Sequence, residues 1–196
     1  HLTVTGTSTK DMVAALTIDG NLTISSGTFR TSTAGENLNI RGNWTNNGGT
    51  FRIEDRSRVT FDGTADQTIA NPSGESFYRL TINKITGTVI LNNNITVQEG
   101  WTGTTAEDGL FDLTLTSGII NANGNTLILG SSLQGPGTLN PAIPTSASYI
   151  RGKFQRWVNA TGTNWQFPLG TASNYRPAVF NAAAITNGFL IIEHIG

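Results

Sequence analysis

Short alternating runs of apolar and polar residues recur along the chain, separated by glycine and asparagine. Arg58-Val-Thr-Phe61, Thr88-Val-Ile-Leu91 and Thr126-Leu-Ile-Leu129 each place every second side chain on one face, the spacing of a half-buried strand. Asn92-Asn-Asn94 and Asn121-Ala-Asn-Gly-Asn125 read as corners between such runs. The nearest approach to a helix, Asp11-Met-Val-Ala-Ala-Leu16, is too short to stand alone. The pattern also repeats. GNLTISSGTFR at 20–30 returns as GNWTNNGGTFR at 42–52, with Gly, Asn, Thr, Gly, Thr, Phe and Arg matching at an offset of 22.

Short strands and corners at this period predict a β-solenoid. One turn of such a coil cannot bury its apolar side, but stacking turns at roughly 4.8 Å joins the inward side chains into one column. In Thr28-Phe29-Arg30 and Thr50-Phe51-Arg52 the alternation turns Phe inward and Thr and Arg outward. Leu22 and Trp44 then share one inward slot, which places Trp44 in the core. The same stacking sets Arg30 beside Arg52, a like-charge contact costing a few tenths of a kcal/mol unless relieved. Glu36 and Glu54 are near enough in sequence to relieve it. The predicted fold class is all-β, an irregular right-handed parallel β-helix followed by an antiparallel β-module.

The texture changes at Gln134-Gly-Pro-Gly137 and Pro141-Ala-Ile-Pro144, a Pro/Gly-rich joint. The expected organisation is therefore solenoid repeats over 1–134, a joint over 135–147, and a C-terminal β-module or cap over 148–196. That tail opens on Ser148-Tyr-Ile-Arg-Gly-Lys-Phe-Gln-Arg-Trp-Val158 and offers about four strands, few for an independent sandwich.

Composition agrees with this and removes other classes. Thr, Asn and Gly make up 73 residues, 37% of the chain, while charged residues are 13% and the formal net charge is −1. Thr suits strands, Asn and Gly suit corners. A near-zero charge gives no electrostatic case for nucleic acid or an acidic membrane surface. Cysteine is absent, so disulfides, thiolate metal sites and cysteine nucleophiles are excluded. No run approaches the roughly 20 apolar residues of a membrane helix. Strand-like sequence at both ends leads us to expect a processed product or a piece of something longer.

Val59-Thr-Phe-Asp-Gly63, Gln67-Thr-Ile69 and Phe77-Tyr-Arg-Leu-Thr-Ile-Asn-Lys84, continued by Gly87-Thr-Val and Ile95-Thr-Val, resemble repeat units of large secreted surface proteins of Bacteroidetes-type bacteria. Tyr149-Ile-Arg-Gly, Phe167-Pro-Leu-Gly-Thr171 and Tyr175-Arg-Pro177 resemble the β-module that succeeds those repeats. The resemblance covers roughly residues 20–180. It implies an extracellular or cell-surface protein of adhesive or structural kind, and carries over no catalytic residues.

Candidate chemistry is sparse. Polysaccharide-cleaving solenoids use paired carboxylates some 5–9 Å apart across a groove. Glu54-Asp55 face opposite ways along one strand; Glu107-Asp108 with Asp112, and Asp62 with Asp66, read as rim charges. Arg52, Arg56 and Arg58 cluster beside Glu54 and Asp55, as a surface ion-pair group would. His1 and His194 are the only histidines, with no evident relation to each other. No nucleophile elbow, phosphate loop or dinucleotide fingerprint occurs. The chain is therefore expected to be no enzyme, with neither catalytic residues, metal site nor cofactor. Outward threonines such as Thr3, Thr17, Thr23 and Thr81 suit an exposed strand face; the strict repeat keeps one threonine pattern over two turns only, short of an ice-binding array. Trp101, Trp157 and Trp165 are candidate carbohydrate contacts, weighed against buried packing at a domain joint. Leu2 and Val4 at one end, and Leu190, Ile191 and Ile192 at the other, are candidate assembly edges. The expectation is a structural or adhesive surface protein that self-associates into a filament or attaches to a larger surface protein, with a glycan as possible ligand. The alternative is a carbohydrate-active or carbohydrate-binding solenoid.

Overall fold

The computed structural model describes residues 1–31, 36–52, 57–98, 112–132, 135–161 and 163–195. Glu54, Asp55, Arg56, Trp101, Glu107 and Asp108 lie outside the described residues. The fold is all-β, with nineteen strands and no helix among the described residues. The stretch Asp11–Leu16 leaves one strand and enters the next.

The strands come in threes. A first turn holds β1 (Leu2–Val4), β2 (Thr9–Asp11) and β3 (Leu16–Ile18). A second holds β4 (Leu22–Ile24), β5 (Thr28–Arg30) and β6 (Asn37–Ile40), and a third β7 (Trp44–Asn46), β8 (Thr50–Arg52) and β9 (Arg58–Phe61). Each strand pairs in parallel with its counterpart one turn on, which creates three stacks. After β10 (Gln67–Ala70) and β11 (Glu75–Phe77), longer strands run round the corners. β12 (Arg79–Leu91) lies on β9 with its first half and on β10 with its second. β13 (Ile95–Val97) lies on β11, and β14 (Asp112–Leu129) passes through all three stacks, pairing with β12 twice and then with β13. β15 (Thr138–Asn140), inside the Pro/Gly-rich stretch, and β16 (Ser148–Val158), beyond it, both add parallel rungs to β14. The result is a solenoid-like parallel coil with three faces.

Three-residue strands suffice here because each turns one or two side chains inward and shares its ladder with neighbouring turns. Leu2, Leu22, Trp44, Ile69 and Leu91 form one continuous column, as the shared slot of Leu22 and Trp44 predicts. All but Leu2 are buried, each aliphatic member contributing about 1.5–3 kcal/mol. Trp44 sits edge-on to Phe51 at 4.6 Å and to Phe77 at 5.2 Å between ring centroids. Threonines also align, Thr3, Thr23 and Thr45 on one face and Thr60, Thr81 and Thr114 on another, although Thr81, expected on an exposed face, is buried. The latter alignment lies beyond the strict repeat.

Arg30 and Arg52 stack as the repeat requires. The relief for Arg30 comes from the turn before: its Nε and Nη2 donate to the Asp11 carboxylate at 2.7 and 2.8 Å. Those bonds hold the Asp11 carboxyl below its ordinary range.

The corners carry a second ladder, made of side chains. His1 Nδ1 accepts the Asn21 amide at 2.8 Å, Asn21 Oδ1 the Asn43 amide at 2.9 Å, and Asn43 Oδ1 the Thr68 amide at 2.8 Å. Asp66 and Asn94 accept the amides of Thr88 and Thr126 in the same manner. Each side chain thus satisfies a backbone donor of the next turn where the strand ladder is interrupted. Glycine is required where turns touch backbone to backbone; a Cβ on Gly63 would fall 2.1 Å from the Arg41 carbonyl oxygen.

The chain then reverses. β17 (Trp165–Phe167) and β18 (Ala178–Phe180) form a small antiparallel pair, and β19 (Gly188–Ile192) lies antiparallel on β16.

Candidate functional site

The two ends of the coil differ in chemistry. At the first end, β1, β2 and β3 each pair on one side only among the described residues, leaving a rim of backbone donors and acceptors. That rim surrounds an apolar hollow of about 520 Å³ lined by Leu2, Val4, Met12, Val13, Leu16 and Phe29 among others. Val4 points into the core and is buried, Leu2 is half-buried, and Val13 is 90% exposed.

At the opposite end the column is closed by the chain itself. Trp165, Phe167 and Leu169 are buried, with Phe167 packed edge-on to Phe154 at 5.8 Å. The Ile150 amide donates to the Pro168 carbonyl at 2.8 Å and the Gly170 amide to the Ile150 carbonyl at 3.0 Å. Arg156 lies beneath this cap. Its Nη1 donates to the Gln166 carbonyl at 2.9 Å, and its guanidinium stands 5.0 Å from the centre of the Trp165 ring. Burial pushes its pKa down to about 10, so it stays charged at neutral pH. On the other side of this end, β19 exposes Phe189 and Ile191, while Leu190 and Ile192 pack partly buried against the core. β19 pairs only with β16 among the described residues.

The candidate carbohydrate contacts fall in this region. Trp165 is 6% exposed and its Nε1 donates to the Ala160 carbonyl at 3.2 Å; Trp157, half-buried, lies opposite Phe189 across the β16–β19 pair. His1 belongs to the first turn and His194 comes after β19, so the two histidines are at opposite ends. Among the described residues no group of three or more His, Cys, Asp or Glu side chains is placed to hold a metal ion. Asp112 lies between two guanidiniums, 3.2 Å from Arg58 and 3.1 Å from Arg79.

Two buried polar knots were not legible in the sequence. Glu75 occupies an inward position in register with Ile95. Its Oε2 accepts from Trp44 Nε1 at 2.9 Å and Asn46 Nδ2 at 3.1 Å. Burial raises its pKa, and the hydrogen bonds from Asn46, Trp44, Ser76 and Asn71 offset that only partly. The knot ties the start of β11 to β7; among the described residues the backbone of β11 pairs only with β13. Lys84, 1% exposed, donates to the Gly63 carbonyl at 2.6 Å, the Ala65 carbonyl at 2.9 Å and Gln67 Oε1 at 2.7 Å. Desolvation lowers its pKa while Asp66 and Asp62 push it back up. A charged residue inside an alternating strand, as in Glu75-Ser-Phe77, was the available signal; the partners, many residues away, were not. No family model matches the chain, and neither does any curated protein or solved structure.

Proposed function

We propose that the chain is a non-enzymatic structural or adhesive protein of the bacterial cell surface, a fibre subunit or stalk segment that assembles end to end by strand addition. The coil is read as a right-handed parallel β-helix, since crossover connections between parallel strands are right-handed in nearly all proteins. The carrying observation is the open first end, where the outer edges of β1, β2 and β3 surround an apolar hollow. An uncapped strand edge pairs with another chain unless something blocks it. On the far side the first stack is covered by Pro168–Gly170, while β15 and β19 each pair on one side only among the described residues; the longer β19 edge is the one that receives a second copy in this reading. Because β19 runs against the coil direction, it would join β2 of the next copy in antiparallel fashion. Such a head-to-tail contact builds a fibre when the rotation between copies does not close a ring.

Electron microscopy and sedimentation over rising concentration test this reading. Filaments are expected at high concentration, shortened or abolished by Thr9→Pro, which removes an N–H on the outer edge of β2, or by Ile191→Lys in β19. Monomers alone at every concentration would refute assembly.

A further inference from the structure

The corner between the third and first stacks carries one polar side chain per turn. Ile18, Ile40, Phe61 and Ile82 are in register as inward residues closing successive third-stack rungs. Their immediate successors in the chain, Asp19, Arg41, Asp62 and Asn83, therefore line up along the coil axis, and Asn83 is in register with Ser117 one turn further. Parallel rungs set these groups roughly 4.8 Å apart.

The column opens into two adjoining clefts. One, of about 540 Å³, is lined by Asp19, Arg41, Asp62, Asn83 and the Gly63–Ala65 corner. The next, of about 430 Å³, has Ser117, Ser146, Tyr149 and Tyr175 among its walls. Ile85, 90% exposed, belongs to both, an apolar ridge in a polar trough.

Several groups of the trough are held by contacts within the chain. Lys84 bonds the Gly63 and Ala65 carbonyls from inside and so pins the floor of the first cleft. Arg41 is tethered to Asp19 at 2.6 Å and lies 3.7 Å from Asp62, whose Oδ1 has no hydrogen-bond partner. Tyr175 is anchored by donating its hydroxyl to the Pro144 carbonyl at 3.0 Å, and its ring lies 5.8 Å from that of Tyr149. Held polar groups reduce the ordering cost of binding.

We infer that this corner is a binding groove for an extended, uncharged, β-linked polysaccharide. A straight row of hydrogen-bonding groups, one per rung, matches a straight polymer that offers hydroxyls at a comparable repeat; an α-1,4-linked chain coils away from such a row. Asp19, Asp62 and Asp66 against Arg41 and the buried Lys84 leave an excess of negative charge, which disfavours an anionic glycan. Ile85 and the Tyr175 ring supply apolar surface for the C–H faces of the sugar rings. The groove runs along the flank of the coil and reaches the closed end at Tyr149 and Tyr175, whereas the proposed assembly edges are β2 and β19.

Calorimetry with cellohexaose as probe, with maltohexaose and oligogalacturonate beside it, tests the assignment. Saturable binding of cellohexaose is expected, at least tenfold tighter than either comparator. Ile85→Ala and Asn83→Ala, both at surface positions, are expected to weaken it at least tenfold with the far-UV circular dichroism unchanged. No saturable binding of cellohexaose, equal or tighter binding of maltohexaose or oligogalacturonate, or indifference to both substitutions would overturn it. A chain that remains monomeric yet binds cellohexaose would separate this site from the assembly reading.

Discussion

Glu75 holds an interior position where its register partner is isoleucine, and it keeps that position because Trp44 and Asn46 each have a buried donor to satisfy. Removing the Trp44 donor leaves the buried Glu75 carboxylate with Asn46 as its remaining side-chain donor on Oε2, and the loss of a hydrogen bond to a buried charged group costs about 1.5–3 kcal/mol. Trp44→Phe keeps an aromatic ring and deletes the indole N–H; we expect a loss in that range by urea unfolding. The pH dependence has a definite sign. The folded chain holds the Glu75 proton more tightly than the unfolded chain does. Its stability contribution is therefore largest where both forms are protonated, and is lost as pH rises from the ordinary glutamate value of about 4.3 through the higher folded value. Glu75→Gln, which keeps an acceptor for Trp44, should remove that part of the slope. Melting temperatures of the two proteins between pH 4 and 8 should converge toward acid, and an unchanged wild-type slope in the variant would contradict the assignment.

Among the elements, the corners are as demanding as the strands. Asn43 satisfies the Thr68 amide from one turn away, so Asn43→Ala should cost about 1 kcal/mol. A lowered urea midpoint with unchanged m would mark it as loss of a native bond. Gly63→Ala is a different fault. Its Cβ would meet the Arg41 carbonyl, and Lys84 holds the Gly63 carbonyl from the other side. Neither backbone can yield freely, so we expect a cost of about 3 kcal/mol, at the upper end of overpacking effects. The same substitution at Gly48, where a Cβ meets nothing within 4 Å but φ is 117°, tests conformational strain alone.

For the whole molecule the asymmetry of the ends matters most. In a coil whose turns contact only their neighbours, stability is a sum of local interfaces, and an exposed terminal turn is the first to fray. The closed end is seated by Trp165, Phe167 and Leu169 over Arg156. Arg156→Ala removes a charged hydrogen bond and a cation–ring contact together, for about 2–3 kcal/mol. Hydrogen exchange should localise the damage: amides of Trp165–Gly170 should lose protection while those of β4 and β7 keep theirs. Uniform loss along the coil would instead mean that the cap and the distant turns open as one unit.

Alternation and turn residues are local properties, and their consequences were legible in the chain alone: short strands, Asn and Gly corners, an inward Trp44, and Arg30 stacked on Arg52. Which residues become neighbours was settled by the stacking of whole turns. After the strict repeat the turns become unequal, and Val89 stacks on Ile120 rather than on a residue 22 further on. An inserted corner changes which residue lies above another without changing which way either faces, so alternation survives while register is lost. That is why Glu75 and Trp44, 31 residues apart, could not be matched by pattern; Asp11 pairs with Arg30 because the first turn sets it 19 residues away, outside the 22-residue repeat. The polar row from Asp19 to Ser117 emerged only once each turn had its place in the stack.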